Sequence, residues 1–422
     1  MQQYQSFTFD AYEFDPATGR IELRYSLDDD VHFTETLQLP DGCKAIASKR
    51  SLAPALQMLH LLGGVSYFKT CCPEKILVKS GDLSKEQAKF FQSVYENGLG
   101  EFAYKNKVNL WGKISFPAMK KIGSAAQTSP LKKLSTGKRA NEQTSKLLVP
   151  LGGGKDSIVT IEKLRTEGKD LTLLRMGTHP LIDALVGAMQ LPCITVERTL
   201  APELMKLNAE GAMNGHVPIT AYLSALAVVV AEIYGFDAVV MSNEQSASEG
   251  NVEHFGKPIN HQWSKGAEAE QMIRSYIHDN IDPNLRYENL LRDMTELQIV
   301  KDFVRYPQYF ELFTSCNRNW KLINEQRATS NSRWCTSCPK CAFLFLMLAA
   351  HLPKRDVLRI FEGNLFENEA LLPLFRQLLG IEGFKPFECV GTPEESREAL
   401  AMIRNRGDFN DTIVFQSLSD AS

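Results

Sequence analysis

Residues 147–160 read LLVPLGGGKDSIVT. A short apolar run closed by glycines predicts a buried strand, here KLLVPL at 146–151, and the stretch from 155 to 167, stopped by Gly168, predicts the helix that follows. Between them Gly152, Gly153 and Gly154 let the backbone approach an anion and aim several N–H groups at it, while the helix start adds its partial positive charge. Phosphate is the natural guest, and a glycine turn with no ligand is the bland alternative. The string is not a Walker A loop, because Val149 stands five residues before Gly154 and Lys155 is followed by Asp156 rather than Ser or Thr. Nor is it a dinucleotide fingerprint, since Ser157 occupies the place of the third glycine.

Outward from this turn the pattern repeats. LTLLRMG predicts a second strand, HPLIDALVGAMQ a helix and ITVERT a third strand. After a polar stretch, Ile219, Tyr222, Leu223, Leu226, Val230 and Ile233 lie at helical spacing, Gly235 ends that helix, and DAVVMS is another strand. Strands alternating with helices predict an α/β, doubly wound parallel sheet that takes its ligands outside the carboxyl ends of its strands. Sites are therefore expected at 151–157, 175–179, 197–199 and 242–250.

Upstream, residues 5–40 alternate at period two through Phe7, Phe9, Ile21, Leu23, Tyr25, Leu27, Val31, Phe33, Leu37 and Leu39, which predicts an antiparallel meander. A helix at about 52–62, a short strand KILVK, and a helix opened by Ser84 with Gln87 three residues on complete a small α+β unit. Lys and Arg dominate the charges of residues 120–146, with Ser, Thr, Gln and Asn between them, the composition of a solvated connector or of a basic arm for an anionic ligand. Thr392, Pro393 and Glu395 start a helix that Gly407 stops. The expected organisation is an N-terminal α+β domain at 1–120, a basic polar linker at 121–146, the α/β domain at 147–264 and a helical region at 265–422.

The composition narrows the function. A chain of 422 residues with 44% hydrophobic and 23% charged side chains is ordinary globular usage. Lys and Arg total 47 against 50 Asp and Glu, so a net charge of −3 gives no global attraction to nucleic acid. The longest apolar run, Cys341 to Ala350, is about half of what crosses a bilayer. The opening MQQYQSFTFD has neither a cationic start nor an apolar signal core, and a cytoplasmic protein binding neither membrane nor nucleic acid is expected.

Nine cysteines, four of them between 316 and 341, suggest metal ligation in a reducing compartment. Cys335, Cys338 and Cys341 form C-x2-C-x2-C, with Cys316 upstream. Four thiolates suit a closed, structural Zn²⁺ site, and the tight triple leaves an iron–sulfur cluster as the competitor. Cys43, Cys71, Cys72, Cys193 and Cys389 read as ordinary buried thiols.

Three further segments are dense in ligand-binding side chains: NGHVPITAY (214–222), SNEQSASEGN (242–251) and INHQWSKGAEAE (259–270). His216, Glu244, Glu249, His254, His261 and Lys265 arrive there with Asn and Ser near strand ends, which predicts a shared site. Glu244 or His261 is the expected general base, with His216 as the second proton donor or acceptor. Lys155, Arg175 and Lys265 suit phosphate charge, with Gly177 beside Arg175 in the same strand-end loop. Asn214, Thr220, Asn243, Asn260 and Gln262 suit hydrogen bonds to a polar substrate.

GGGKDS resembles the PP-loop, SGGxDS, of the ATP pyrophosphatase superfamily, which cleaves ATP between its α and β phosphates to adenylate a substrate. Gly152 replaces the first Ser of that pattern, so a backbone N–H must substitute for one hydroxyl. The resemblance implies that Gly153, Gly154 and Ser157 cradle pyrophosphate and that Asp156 faces Mg²⁺. Together with the three polar segments and WCTSCPKCAF (334–343), the motifs over about 147–350 are similar to the UDP-N-acetylmuramoyl-L-alanyl-L-glutamate epimerase family, MurL. A similar cysteine spacing in the PP-loop cyano-deazaguanine synthases supports Zn²⁺ over iron and sulfur.

What that likeness implies is conversion of the terminal L-Glu of a UDP-muramoyl dipeptide to D-Glu, with ATP cleaved to AMP and pyrophosphate, in peptidoglycan precursor synthesis. The chemistry is coherent. A proton beside a free carboxylate is hard to remove, because the carbanion would stand next to an existing negative charge, and adenylation abolishes that charge. The amide oxygen of the preceding Ala offers a second route, closing on the activated carbonyl as an oxazolone with a still more acidic α-proton. Two rival readings, a PP-loop tRNA-modifying protein and a nucleotide sensor with a decayed site, differ in predicting a strongly basic face and no turnover respectively.

Overall fold

The computed structural model describes residues 4–40, 50–119, 145–320, 322–323, 326–327 and 333–419. Nearly all of the expected linker at 121–146, and Cys43, lie outside them. The strands among the described residues are β1 (Ser6–Asp15), β2 (Arg20–Leu27), β3 (Val31–Gln38), β4 (Lys75–Val78), β5 (Lys146–Pro150), β6 (Asp170–Met176), β7 (Cys193–Thr199), β8 (Ala238–Met241), the hairpin pair β9 (Val252–His254) and β10 (Lys257–Ile259), β11 (Arg286–Asn289), and the short pair β12 (Leu322–Ile323) and β13 (Gln326–Arg327). Nine of them form one sheet in the order β11-β8-β5-β6-β7-β3-β2-β1-β4.

The sheet is mixed and mostly parallel. β11, β8, β5, β6 and β7 run parallel, as the alternating pattern predicts, whereas β3 pairs antiparallel with β7 through Thr36–Thr199, Leu37–Arg198 and Gln38–Glu197. The N-terminal meander is thus hydrogen-bonded into the same sheet as the α/β unit. Period-two alternation sets which face a strand buries but carries no information on its neighbour, so this junction had no sequence signal.

Both faces of the parallel strands are covered. Leu148 and Val239 point into the core shared with the N-terminal residues, while Leu147, Val149, Ala238 and Val240 point into the core built from the C-terminal helices. This explains the unbroken apolar runs of β5 and β8. On the first face the helix Ile219–Tyr234, buried on nearly every side, packs against the helix Leu52–Gly63. A Cβ on Gly63 would lie 2.7 Å from the Tyr25 hydroxyl and one on Gly64 2.3 Å from Phe9, so the paired glycines let the end of the helix Leu52–Gly63 lie close against β1 and β2.

Both capping boxes form: Ser84 with Gln87 opens Lys85–Gly98, and Thr392 with Glu395 opens Pro393–Arg406. Two elements depart from expectation. The polar stretch after β7 contains a helix, Pro202–Ala209, started by proline, and the region expected to be helical from 265 supplies the edge strand β11. Its four residues bury a single side chain, Tyr287, too little periodicity to read as a strand.

Candidate active site

The chain builds β5, β6 and β7 outward in one direction and then places β8 on the other side of β5. The order of a doubly wound sheet reverses there, and the crevice outside β5 and β8 is where such sheets bind ligands. The glycine turn follows β5, and Asn243 and Glu244 follow β8.

Each glycine of the turn has its own reason. Gly153 adopts φ +83°, which disfavours any side chain, and its carbonyl accepts the Thr314 N–H at 3.0 Å. A Cβ on Gly154 would meet Ser315 Oγ at 2.9 Å, whereas Gly152 is exposed with open space around it. Among the described residues, none accepts a hydrogen bond from the amides of Gly152, Gly153 or Gly154. The helix Lys155–Thr166 begins directly behind them, and Ser157 Oγ donates to the Gly154 carbonyl at 3.0 Å. Free amides at a helix start are an anion site.

Lys155 is buried, and its ammonium pairs with both Asp156 and Glu296. Burial pushes the Glu296 carboxyl up, against the pull of Lys155 and Lys340. Burial also acts to raise Asp156, but Lys155 and then Lys340 outweigh it and hold that carboxylate ionised.

A second group of ionisable side chains adjoins the turn. His261 Nδ1 shares a short hydrogen bond with Glu101, which also pairs with Lys105. The His216 ring lies 4.4 Å from that of His261, with its Nδ1 3.6 Å from Glu101. Lys265 Nζ reaches Cys389 Sγ at 3.4 Å, and the Lys340 ammonium is bound by the Cys389 carbonyl.

Burial alone would pull His261 down, but hydrogen bonds to Cys389 and Glu101 hold it at about 9. Burial would raise the Cys389 thiol; Lys265, His261 and Lys340 instead draw it down to about 6. Burial, with His261 beside it, lowers His216 to about 3. At neutral pH these values describe an imidazolium on His261, a thiolate on Cys389 and a neutral His216. The ligand atoms of Glu101, His216 and His261 lie within 4.8 Å of one another. Within that trio Glu101 and His261 are hydrogen-bonded to each other, and His216 stands beside both.

Of the expected residues, Asp156, Lys265, His216 and His261 come together here, because Lys265 acts on both Asp156 and Cys389. Glu244 is almost fully buried nearby and adds to the charge that Lys265 feels. The others have partners within the protein. Arg175 donates to Thr195 and pairs with Asp183, and Gly177 bonds to the Val196 carbonyl. Asn214 accepts from Lys69, and Thr220 is buried at a helix start with its carbonyl bound by Ser224. Asn243 is held by Asn289, Asn260 ties Ala247 to Gln262, and Gln262 donates to the Val390 carbonyl at 3.4 Å.

The reading of Cys389 as an ordinary buried thiol is corrected by its contacts with Lys265 and His261. Glu101, Glu296 and Arg292 were also missed. Arg292 donates to the carbonyls of Glu244 and Lys265 while paired with Glu270, and so fixes the backbone under two expected site residues. Lys340 alone had a signal, a charge set between two cysteines at the head of an apolar helix.

Cys316, Cys335, Cys338 and Cys341 converge as expected, with Sγ atoms 3.5 Å apart for Cys338–Cys341 and 3.8 Å for Cys335–Cys341. This cluster touches the turn through chain continuity, because Cys316 lies two residues beyond Thr314. No helix among the described residues is long and apolar enough to cross a membrane.

A glycine turn at the reversal point of a mostly parallel sheet, next to paired acids, bases and a thiol, is the arrangement of an α/β enzyme. The MurL N-terminal domain model matches residues 1–290, and the MurL C-terminal domain model matches 312–422. Similar proteins include the UDP-N-acetyl-alpha-D-muramoyl-L-alanyl-L-glutamate epimerases of Xanthomonas oryzae pv. oryzae, 40% identical over 98% of this chain and 88% of the relative, and of Salinispora tropica, 38% identical over 100% and 90%. The Micromonospora protein of the same name is 37% identical over 100% of this chain and 92% of its own length. The chain belongs to the MurL family and is an isomerase.

Proposed function

We propose that the protein converts the terminal L-Glu of UDP-N-acetylmuramoyl-L-alanyl-L-glutamate to D-Glu in the cytoplasm, using ATP and passing through an acyl-adenylate with release of AMP and pyrophosphate. The observation that carries this reading is the turn at a helix start, whose three glycine amides are bound by none of the described residues, linked through Lys265 to the Cys389–His261–Glu101 group. The substrate comes from the names of the relatives, and the nucleotide from the turn chemistry and its PP-loop likeness. Joining the α-carboxylate to AMP neutralises it, so a base of ordinary strength can take the α-proton.

In this reading Gly152, Gly153, Gly154 and Ser157 receive the phosphates and the ionised Asp156 offers hard oxygen ligands to Mg²⁺. Glu244 and the neutral His216, which burial leaves a weak base, are the candidates to move the α-proton. Structural Zn²⁺ fits the four cysteines: sulfurs at about 2.3 Å from one tetrahedral ion stand about 3.8 Å apart, close to the observed spacing, whereas a cluster binding each thiolate to its own iron needs them farther apart. The division into domains at 1–120, 147–264 and 265–422 stays part of this proposal.

The test is incubation with ATP, Mg²⁺ and the L,L-dipeptide nucleotide in deuterated water. We expect D-Glu carrying deuterium at its α-carbon, formed in step with AMP and pyrophosphate. AMP release without D-Glu, or D-Glu without solvent deuterium, would overturn the assignment.

A further inference from the structure

Cys389 is neither a metal ligand nor a packing residue. It is half-buried, on a segment whose backbone is pinned by the Lys340 ammonium at its own carbonyl. Its sulfur is 3.4 Å from Lys265 Nζ and within hydrogen-bonding reach of His261. Glu101 occupies Nδ1 of that ring, which leaves Nε2 for the thiol and holds the imidazole in one orientation. A nucleophile, a base beside it and a carboxylate that orients the base form the pattern of an activated nucleophile.

The surroundings agree with a thiolate. Positive charge reaches the sulfur from Lys265, His261 and Lys340, and the acidic groups of the same crevice are Glu101, Glu244, Asp156 and Glu296. Lys265 acts on both Cys389 and Asp156 of the glycine turn, so the sulfur and the turn face the same lysine.

We propose that Cys389 is a catalytic nucleophile, which takes the glutamyl group from AMP as a thioester before the α-carbon is inverted. This rests on the adenylating reading above. The thiolate attacks the carbonyl carbon, the S–C bond forms, and the C–O bond to AMP breaks with its electron pair leaving on the phosphate. The α-proton is exchanged from the neutral thioester. Water then adds to the carbonyl, the S–C bond breaks, the pair returns to sulfur, and two protons pass to solvent as carboxylate and thiolate are regenerated. An alternative in which the thiolate only removes the α-proton needs no S–C bond, and the test separates the two.

The experiment is rapid acid quench of the full-length protein turning over ATP, Mg²⁺ and the dipeptide nucleotide, followed by intact-mass analysis and peptide mapping. Wild type is expected to carry an adduct of the substrate less one water, labile to hydroxylamine, on the peptide containing Cys389. Cys389→Ala is expected to release a single stoichiometric burst of pyrophosphate, which also shows that it is folded, and to lose D-Glu formation by on the order of a thousandfold or more. D-Glu formation by wild type with no adduct at any quench time, or turnover by Cys389→Ala within about tenfold of wild type, overturns the proposal. If wild type releases no pyrophosphate with this substrate, the adenylating reading fails instead. Alkylation by iodoacetamide at neutral pH then decides the thiol. Cys389 is expected to react at least about tenfold faster than the half-buried Cys71, Cys72 and Cys193, with that excess lost in His261→Ala. Equal rates would contradict an activated thiolate.

Discussion

At residue scale, the side chains that organise the site come from distant parts of the chain. Glu101 and His261 are 160 positions apart, and Lys265 and Cys389 are 124. His261, His216 and Lys265 were legible because they sit in polar segments near strand ends. Glu101, in GEFAYKN, and Cys389, in FECVGT, carry no local pattern, and only the fold brings their partners to them. Their charges predict a pH profile. The thiolate forms as pH rises through about 6, and the His261 imidazolium is lost as pH rises through about 9, so kcat/KM should rise across the first value and fall across the second. In Glu101→Gln the imidazolium loses its carboxylate partner, and the alkaline limb should move to lower pH with the acid limb less affected. An unchanged alkaline limb would remove His261 from that role. Lys155 supplies a stability prediction. Glu296→Ala removes one of the two carboxylates on a buried ammonium and should cost about 3–5 kcal/mol in urea unfolding.

At the scale of the element, the strand, turn and helix at 146–166 were readable in full, because an apolar run, three glycines and a helical pattern all point to the same geometry. The three glycines should nevertheless respond differently. Gly153→Ala forces a side chain into the left-handed region at φ +83° and should destabilise by about 1–2 kcal/mol. Gly152→Ser enters open space and should change thermal stability by no more than about 0.5 kcal/mol, while supplying the hydroxyl that the PP-loop pattern carries at that place. Equal losses at the two positions would contradict the assigned turn geometry. By contrast β11 and the helix Pro202–Ala209 were illegible, because each is short and buries only one side chain fully, below what periodicity can register.

At the scale of the whole molecule, the two halves of the sheet are joined around Glu35. This fully buried carboxylate accepts hydrogen bonds from Tyr67, Tyr222 and Arg198, which links the meander to β7 and to the helix Ile219–Tyr234. Glu35→Ala should lower stability by about 3–5 kcal/mol in equilibrium unfolding, since it strands a guanidinium that is largely enclosed. The sequence pattern gave each half correctly, but the junction depends on strand ends meeting across more than 150 residues, which alternation does not encode. The cysteine cluster likewise reaches beyond itself. Its first member lies two residues past Thr314, whose N–H holds Gly153, and Lys340 lies between two others. Metal analysis should find Zn²⁺ on the four cysteines, and Cys338→Ser should weaken ATP binding as well as lowering the melting temperature. Full ATP affinity in a metal-free variant would uncouple the two. If a glutamyl carboxylate is activated by transfer of an adenylyl group at the glycine turn, one of its oxygens leaves on AMP, and the fate of that oxygen is the decisive measurement. With the α-carboxylate of the substrate labelled with heavy oxygen, AMP should carry one labelled oxygen for each D-Glu formed. D-Glu appearing while all the AMP remains unlabelled would contradict it.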